Sequence, residues 1–139
     1  MPSYLNSVAI IDDDEIFQML IRKVLEKKLP SGSILQFSNG HEAFLYFKNN
    51  LLSVHQLPQI IFLDVNMPVM NGWEFLKQLD KLQFNEPYEP SIFIISAIET
   101  INSGELTAYP CVKGYLTKPI VPADVINIVQ SVIQSNEGQ

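Results

Sequence analysis

The sequence predicts an α/β fold: a doubly wound parallel sheet of five strands with helices on both faces. Three observations lead there. Short apolar runs of strand length alternate with stretches of helical periodicity along the chain. Three of those runs are continuously apolar and rich in β-branched residues, as strands buried on both faces are. The length of 139 residues, 47% hydrophobic and 17% charged, suits one domain with a single buried core and predicts no second one.

The first run is Val8-Ala9-Ile10-Ile11. An amphipathic helix follows Asp14: Ile16, Phe17, Leu20, Ile21, Val24 and Leu25 recur every three to four residues, and Arg22, Lys23, Glu26 and Lys27 take the opposite face. A second strand, Ile34 to Phe37, precedes a helix from His41 to Asn49 with Ala43, Phe44 and Phe47 inward. The third strand is Ile60-Ile61-Phe62-Leu63, and its helix runs from Trp73 to about Leu82. Ile92 to Ile95 forms the fourth strand; the helix expected near Ile101 to Tyr109 is interrupted by Ser, Gly and Thr. A weaker fifth strand, Gly114 to Thr117, leads to a helix after Pro122 carrying Val125, Ile128, Val129, Val132 and Ile133. Residues 135–139 read as a frayed polar tail. Two connections, Asn49 to Pro58 and Gln83 to Pro90, are long, and such loops are expected to bear on partners.

Nine basic against 15 acidic residues give a formal charge of −6, which argues against a general grip on nucleic acid or an anionic membrane. Residues Met1 to Ser7 lack Lys and Arg, and no apolar run has the length of a membrane span. Cys111, the one cysteine, has no internal partner and reads as filler in a reducing compartment, so a cytoplasmic location is expected.

In an open parallel sheet the ligand crevice lies at the carboxyl ends of the strands, where strand order reverses. Those ends carry a pattern. The first strand is followed by Asp12-Asp13-Asp14, the third by Asp64, the fourth by Ser96 and the fifth by Lys118-Pro119. In a flavodoxin-like order, 2-1-3-4-5, the first and third strands are neighbours and Asp12, Asp13 and Asp64 converge. Two carboxylates about 5 Å apart repel by roughly 3 kcal/mol at an effective dielectric near 20. A divalent cation relieves this, and an oxygen-only donor set without His or Cys suits Mg²⁺. With Lys118 and Ser96 added, the site fits a phosphoryl group, and Asp64, standing alone after an apolar strand, is the expected acceptor.

The stretch Asp64-Val65-Asn66-Met67-Pro68-Val69-Met70-Asn71-Gly72 resembles the phosphoacceptor signature of the receiver domains of two-component response regulators. The acidic cluster after Ile11, the pair Ser96-Ala97, and Gly114-Tyr115-Leu116-Thr117-Lys118-Pro119 are similar to the family's other marks, in order, over about Val8 to Gln134. The resemblance implies that Asp64 accepts a phosphoryl group, that Asp13 ligates Mg²⁺ and Asp12 assists, and that Asn66 adds its backbone carbonyl. It implies further that Lys118 and Ser96 contact phosphate oxygens, that Tyr115 is a switch aromatic, and that Pro119 is a cis-proline aiming Lys118. Asn66 and Ile98 fill two places the family varies to adjust phosphate lifetime. The implied donor is a sensor histidine kinase or histidine phosphotransfer protein. A chain ending soon after its last helix implies a separate downstream effector protein, and a phosphorylation-dependent homodimer is compatible with it.

Plainer readings stand beside these. Asp14 is equally explained as the cap of the first helix, Lys118 as a solvated charge, Tyr115 and Trp73 as packing, and His41 and His55 as surface residues. The rival functions are a haloacid-dehalogenase-like phosphatase, which needs an acid where Asn66 stands, a flavin carrier, which needs a phosphate loop in place of the acids, and a degenerate receiver used as a scaffold.

Overall fold

The computed structural model describes residues 7–96 and 109–137. Its strands are β1 (Val8–Ile11), β2 (Ile34–Phe37), β3 (Ile60–Asp64), β4 (Ser91–Ser96) and β5 (Val112–Thr117). They form one sheet in the order β2-β1-β3-β4-β5, with every pairing parallel. The α-helices among the described residues are α1 (Glu15–Leu25), α2 (Gly40–Lys48), α3 (Gly72–Asp80) and α4 (Pro122–Glu137). The helix expected near Ile101 to Tyr109 falls largely outside the described residues, as do Ala97 and Ile98.

Strand alternation divides the core in two. Ala9, Ile11, Ile61, Leu63, Ile92 and Ile94 face α2 and α3, where they meet Phe47, Phe75, Leu76 and Leu79. Val8, Ile10, Ile60, Phe62 and Ile95 face α1 and α4, against Ile21, Leu25, Val125 and Val129. All of β1 and β3 is buried. The carboxyl ends of these two neighbouring strands therefore share one rim of the sheet, where the candidate site residues stand.

The last helix, α4, continues to Glu137. On α1 the apolar stripe is wider than the buried face, because α4 covers only part of it. Gln18, Ile21 and Leu25 are buried, while Ile16 is 69% and Leu20 57% exposed. No helix among the described residues is long and apolar enough to cross a membrane.

The two long connections meet at the amino-terminal rim of the sheet. Asn85 donates from its backbone to Leu51 O (3.0 Å) and from its side chain to Leu52 O (3.3 Å), and the Tyr88 hydroxyl donates to Pro58 O at 2.6 Å. Phe84 and Tyr88 extend the aromatic cluster through Phe47 to Phe75. These excursions are packed onto one another.

Candidate functional site

Beyond Ile11 the chain leaves β1, and Asp12 N donates to Phe37 O at 3.1 Å, adding one rung to the sheet. This draws the Asp12 side chain inward: the residue is 1% exposed, and its Oδ1 accepts from Asp14 N at 2.9 Å. Asp13 is exposed. Asp14 caps α1, accepting from Ile16 N and Phe17 N at 3.0 and 3.1 Å, so the capping reading is the one its geometry carries.

Asp64 ends β3 beside β1 and is 4% exposed. The following loop carries Asn66, whose N–H donates to Asp64 Oδ1 at 3.3 Å and whose side chain is exposed. The loop turns under Asp64 and starts α3 with a reciprocal Asn71–Glu74 capping box. Gly72 is required there: a Cβ at this position would lie 2.6 Å from Asp64 O and 2.9 Å from Val65 Cα. Val69, 80% exposed, takes φ +70°, a left-handed conformation costly for a β-branched residue.

The opposite wall comes from β4 and β5. Ser96 is 1% exposed and pairs with Thr117, and its carbonyl accepts from Lys118 N at 3.0 Å. The Lys118–Pro119 peptide is cis. Lys118 Nζ reaches 3.0 Å from Asp12 Oδ2 and 3.8 Å from Asp64 Oδ2, and sits 4.7 Å from the centroid of the Phe17 ring. Buried Asp12 Oδ2 thus has the Lys118 ammonium as an ion-pair partner. Tyr115, on β5, is 53% exposed.

Charge follows from this packing. Burial, reinforced by the Asp12 carboxylate, pushes the Asp64 pKa from 3.8 up to about 7, against the pull of Lys118 and of the Asn66 N–H. Burial lowers the Lys118 pKa, but the Asp12 carboxylate and the charges of Asp64 and Asp14 raise it by more, so the ammonium stays charged. The site thus holds more negative charge than one lysine neutralises. Asp12, Asp13 and Asp64 each present a carboxylate oxygen, all within 4.8 Å of one another. Three hard oxygens make a donor set that fits a Mg²⁺-sized cation.

A family model for the response regulator receiver domain matches residues 8–130. The chain belongs to the response regulator receiver domain family. This receiver is 26% identical over 131 residues to a chemotaxis protein CheY homolog of Campylobacter jejuni, covering 94% of both chains. It is 27% identical over 134 residues to the chemotaxis protein CheY of Thermotoga maritima, covering 90% of this chain and 95% of that one. A CheY-like receiver domain from Methanospirillum hungatei shares the fold with a TM-score of 0.74 at 20% identity, covering 96% and 98% of the two chains.

Of the candidate site residues of this receiver, Asp12, Asp13, Asp64, Asn66, Ser96, Lys118 and Pro119 lie at the carboxyl rim of the sheet, and Tyr115 lies part-way along β5. Asp12, Asp13, Asp64 and Lys118 converge, with Ser96 beside them on β4, while exposed His41 and His55 take no part. One residue of the site escaped the sequence reading. Gln18 is 9% exposed, and its Nε2 lies 3.1, 3.0 and 2.9 Å from the carbonyl oxygens of Ile10, Asp12 and Phe37. Its signal was present as a polar residue in register with Ile21 and Leu25 on the buried stripe of α1.

Proposed function

We propose that this receiver is a phosphoacceptor switch that takes a phosphoryl group onto Asp64 from a sensor histidine kinase or a histidine phosphotransfer protein. The observation that carries the reading is the burial of Asp64 beside Asp12 at the β1–β3 crevice, with Lys118 Nζ 3.8 Å from the acceptor carboxylate. Carboxylates of Asp12, Asp13 and Asp64, with the backbone carbonyl of Asn66, would hold Mg²⁺. The bound ion would supply positive charge to the phosphoryl oxygens.

In the transfer, a lone pair of ionised Asp64 forms the O–P bond as the P–N bond to the donor imidazole breaks. The imidazole nitrogen keeps the bonding electrons and takes up a proton. Lys118, cationic at neutral pH, holds one phosphoryl oxygen, and the Ser96 hydroxyl donates to another. With an acceptor pKa of about 7, a large share of Asp64 is already the nucleophilic carboxylate at neutral pH. The phosphoryl group adds roughly −1.5 to −2 charges in a buried pocket. Ser96 and Lys118 follow that charge, Tyr115 turns inward from its exposed position, and the β4–β5 rim changes what it offers a separate effector protein. A phosphatase reading is not favoured, since Asn66 cannot serve as an acid. A cytoplasmic site of action fits the single cysteine, and a homodimer formed on phosphorylation is one form the output could take.

The test is incubation with Mg²⁺ and acetyl phosphate, followed by intact mass. One added phosphoryl group on the wild type and none on Asp64→Asn are expected. No adduct on the wild type, or an undiminished one on the variant, overturns the reading.

A further inference from the structure

We infer that Gln18 is a positioning residue for the cation site, fixing through its side-chain amide the backbone from which Asp12 and Asp13 project. This rests on the phosphoacceptor reading and adds to it a residue outside the acidic set.

A long amide on a buried helical stripe is costly unless its polar atoms are satisfied. Here they are satisfied in one direction only. Arg22 Nη1 donates to Gln36 Oε1 at 3.0 Å, and a guanidinium can only donate. Gln36 must therefore turn its Nε2 to Gln18 Oε1, 3.0 Å away. Gln18 in turn must point its own Nε2 at the carbonyls of Ile10, Asp12 and Phe37. The relay from Arg22 thus leaves the Gln18 amide no alternative flip.

What the amide holds is specific. The Asp12 carbonyl belongs to the peptide joining Asp12 to Asp13, so anchoring it at 3.0 Å orients that plane and both flanking Cα atoms. Asp12 N is already tied to Phe37 O, and Phe37 O also faces Gln18 at 2.9 Å. One side chain therefore joins the ends of β1 and β2 under the acidic pair. Asp12 Oδ1 accepts from Asp14 N while Oδ2 faces Lys118 Nζ at 3.0 Å, so the direction this carboxylate presents to a cation depends on the backbone beneath. Groups that orient ligands in this way typically change metal affinity about 10- to 100-fold when removed.

The experiment uses Gln18→Met, which keeps length and loses the donors, and Gln36→Leu, which frees the Gln18 amide while leaving it in place. Mg²⁺ dissociation constants are read by calorimetry on the folded full chain, and unfolding in EDTA is measured beside them. Gln18→Met is expected to weaken Mg²⁺ binding about 10-fold and Gln36→Leu less. A side chain that only fills space would lower stability and leave the dissociation constant alone. Wild-type Mg²⁺ affinity in both folded variants overturns the inference and leaves the phosphoacceptor reading standing. Absence of Mg²⁺ binding by the wild type itself overturns both. If Gln18→Met does not fold, Gln36→Leu alone decides: weakened binding supports the positioning role, and unchanged binding overturns it.

Discussion

Replacing Asp64 with Asn should stabilise this receiver at neutral and alkaline pH when no divalent cation is present. The cause is the burial of Asp64 beside Asp12, which pushes its pKa from 3.8 up to about 7. In the unfolded chain the carboxyl ionises near pH 4, whereas in the folded protein it keeps its proton until about pH 7. Between those limits the folded state binds more protons than the unfolded state, so stability falls as pH rises. At about 1.4 kcal/mol per pH unit, a window about three units wide sets a ceiling of about 4 kcal/mol on the cost of ionised Asp64. Asparagine removes the charge but must satisfy its own amide and forgoes the attraction of Lys118, so a gain of roughly 1–3 kcal/mol is expected at pH 8. That corresponds to about 3–10 °C in thermal midpoint for a domain of this size. Thermal unfolding in EDTA at several pH values checks it: the variant should lead at pH 8 and lose its lead toward pH 5. A lead that is absent, or that does not change across this range, refutes the account of Asp64 as a strained carboxylate.

Other perturbations test other parts of the design. Val69→Gly, at an exposed position with φ +70°, should raise stability by about 0.5–1 kcal/mol in urea unfolding, since glycine adopts that backbone freely. Gly72→Ala should cost about 1–3 kcal/mol, because the new methyl meets the Asp64 carbonyl at 2.6 Å, and should slow acetyl phosphate labelling through displacement of Asp64. Tyr88→Phe, which removes the donor to Pro58 O, should cost about 1 kcal/mol in urea unfolding with Mg²⁺ affinity unchanged.

The sheet was legible because strands buried on both faces spell themselves out as Val8–Ile11 and Ile60–Leu63, and because a parallel order forces their carboxyl ends together. Asp12, Asp64, Ser96 and Lys118 were legible for the same reason: each stands at or just after the end of such a run. What periodicity could not show is which part of an apolar stripe has a covering partner, hence exposed Ile16 and Leu20 on α1. Gln18 was hidden because a polar residue in a helical stripe reads as an interruption, and only the carbonyls of two other elements give it a purpose. The left-handed Val69 follows from the path between β3 and α3, and no residue preference announces it.

The clasp of the two long connections, held by Asn85 and Tyr88, lies at the opposite rim from the acids. Chemistry and insertion therefore occupy different poles of the domain, and either can be altered with little bearing on the other. Leu52, 80% exposed on the outside of that clasp, is accordingly a natural anchorage for a fluorophore or surface tether. A probe carried there would ride on a braced segment and report rotation of the whole domain, leaving the acidic crevice undisturbed.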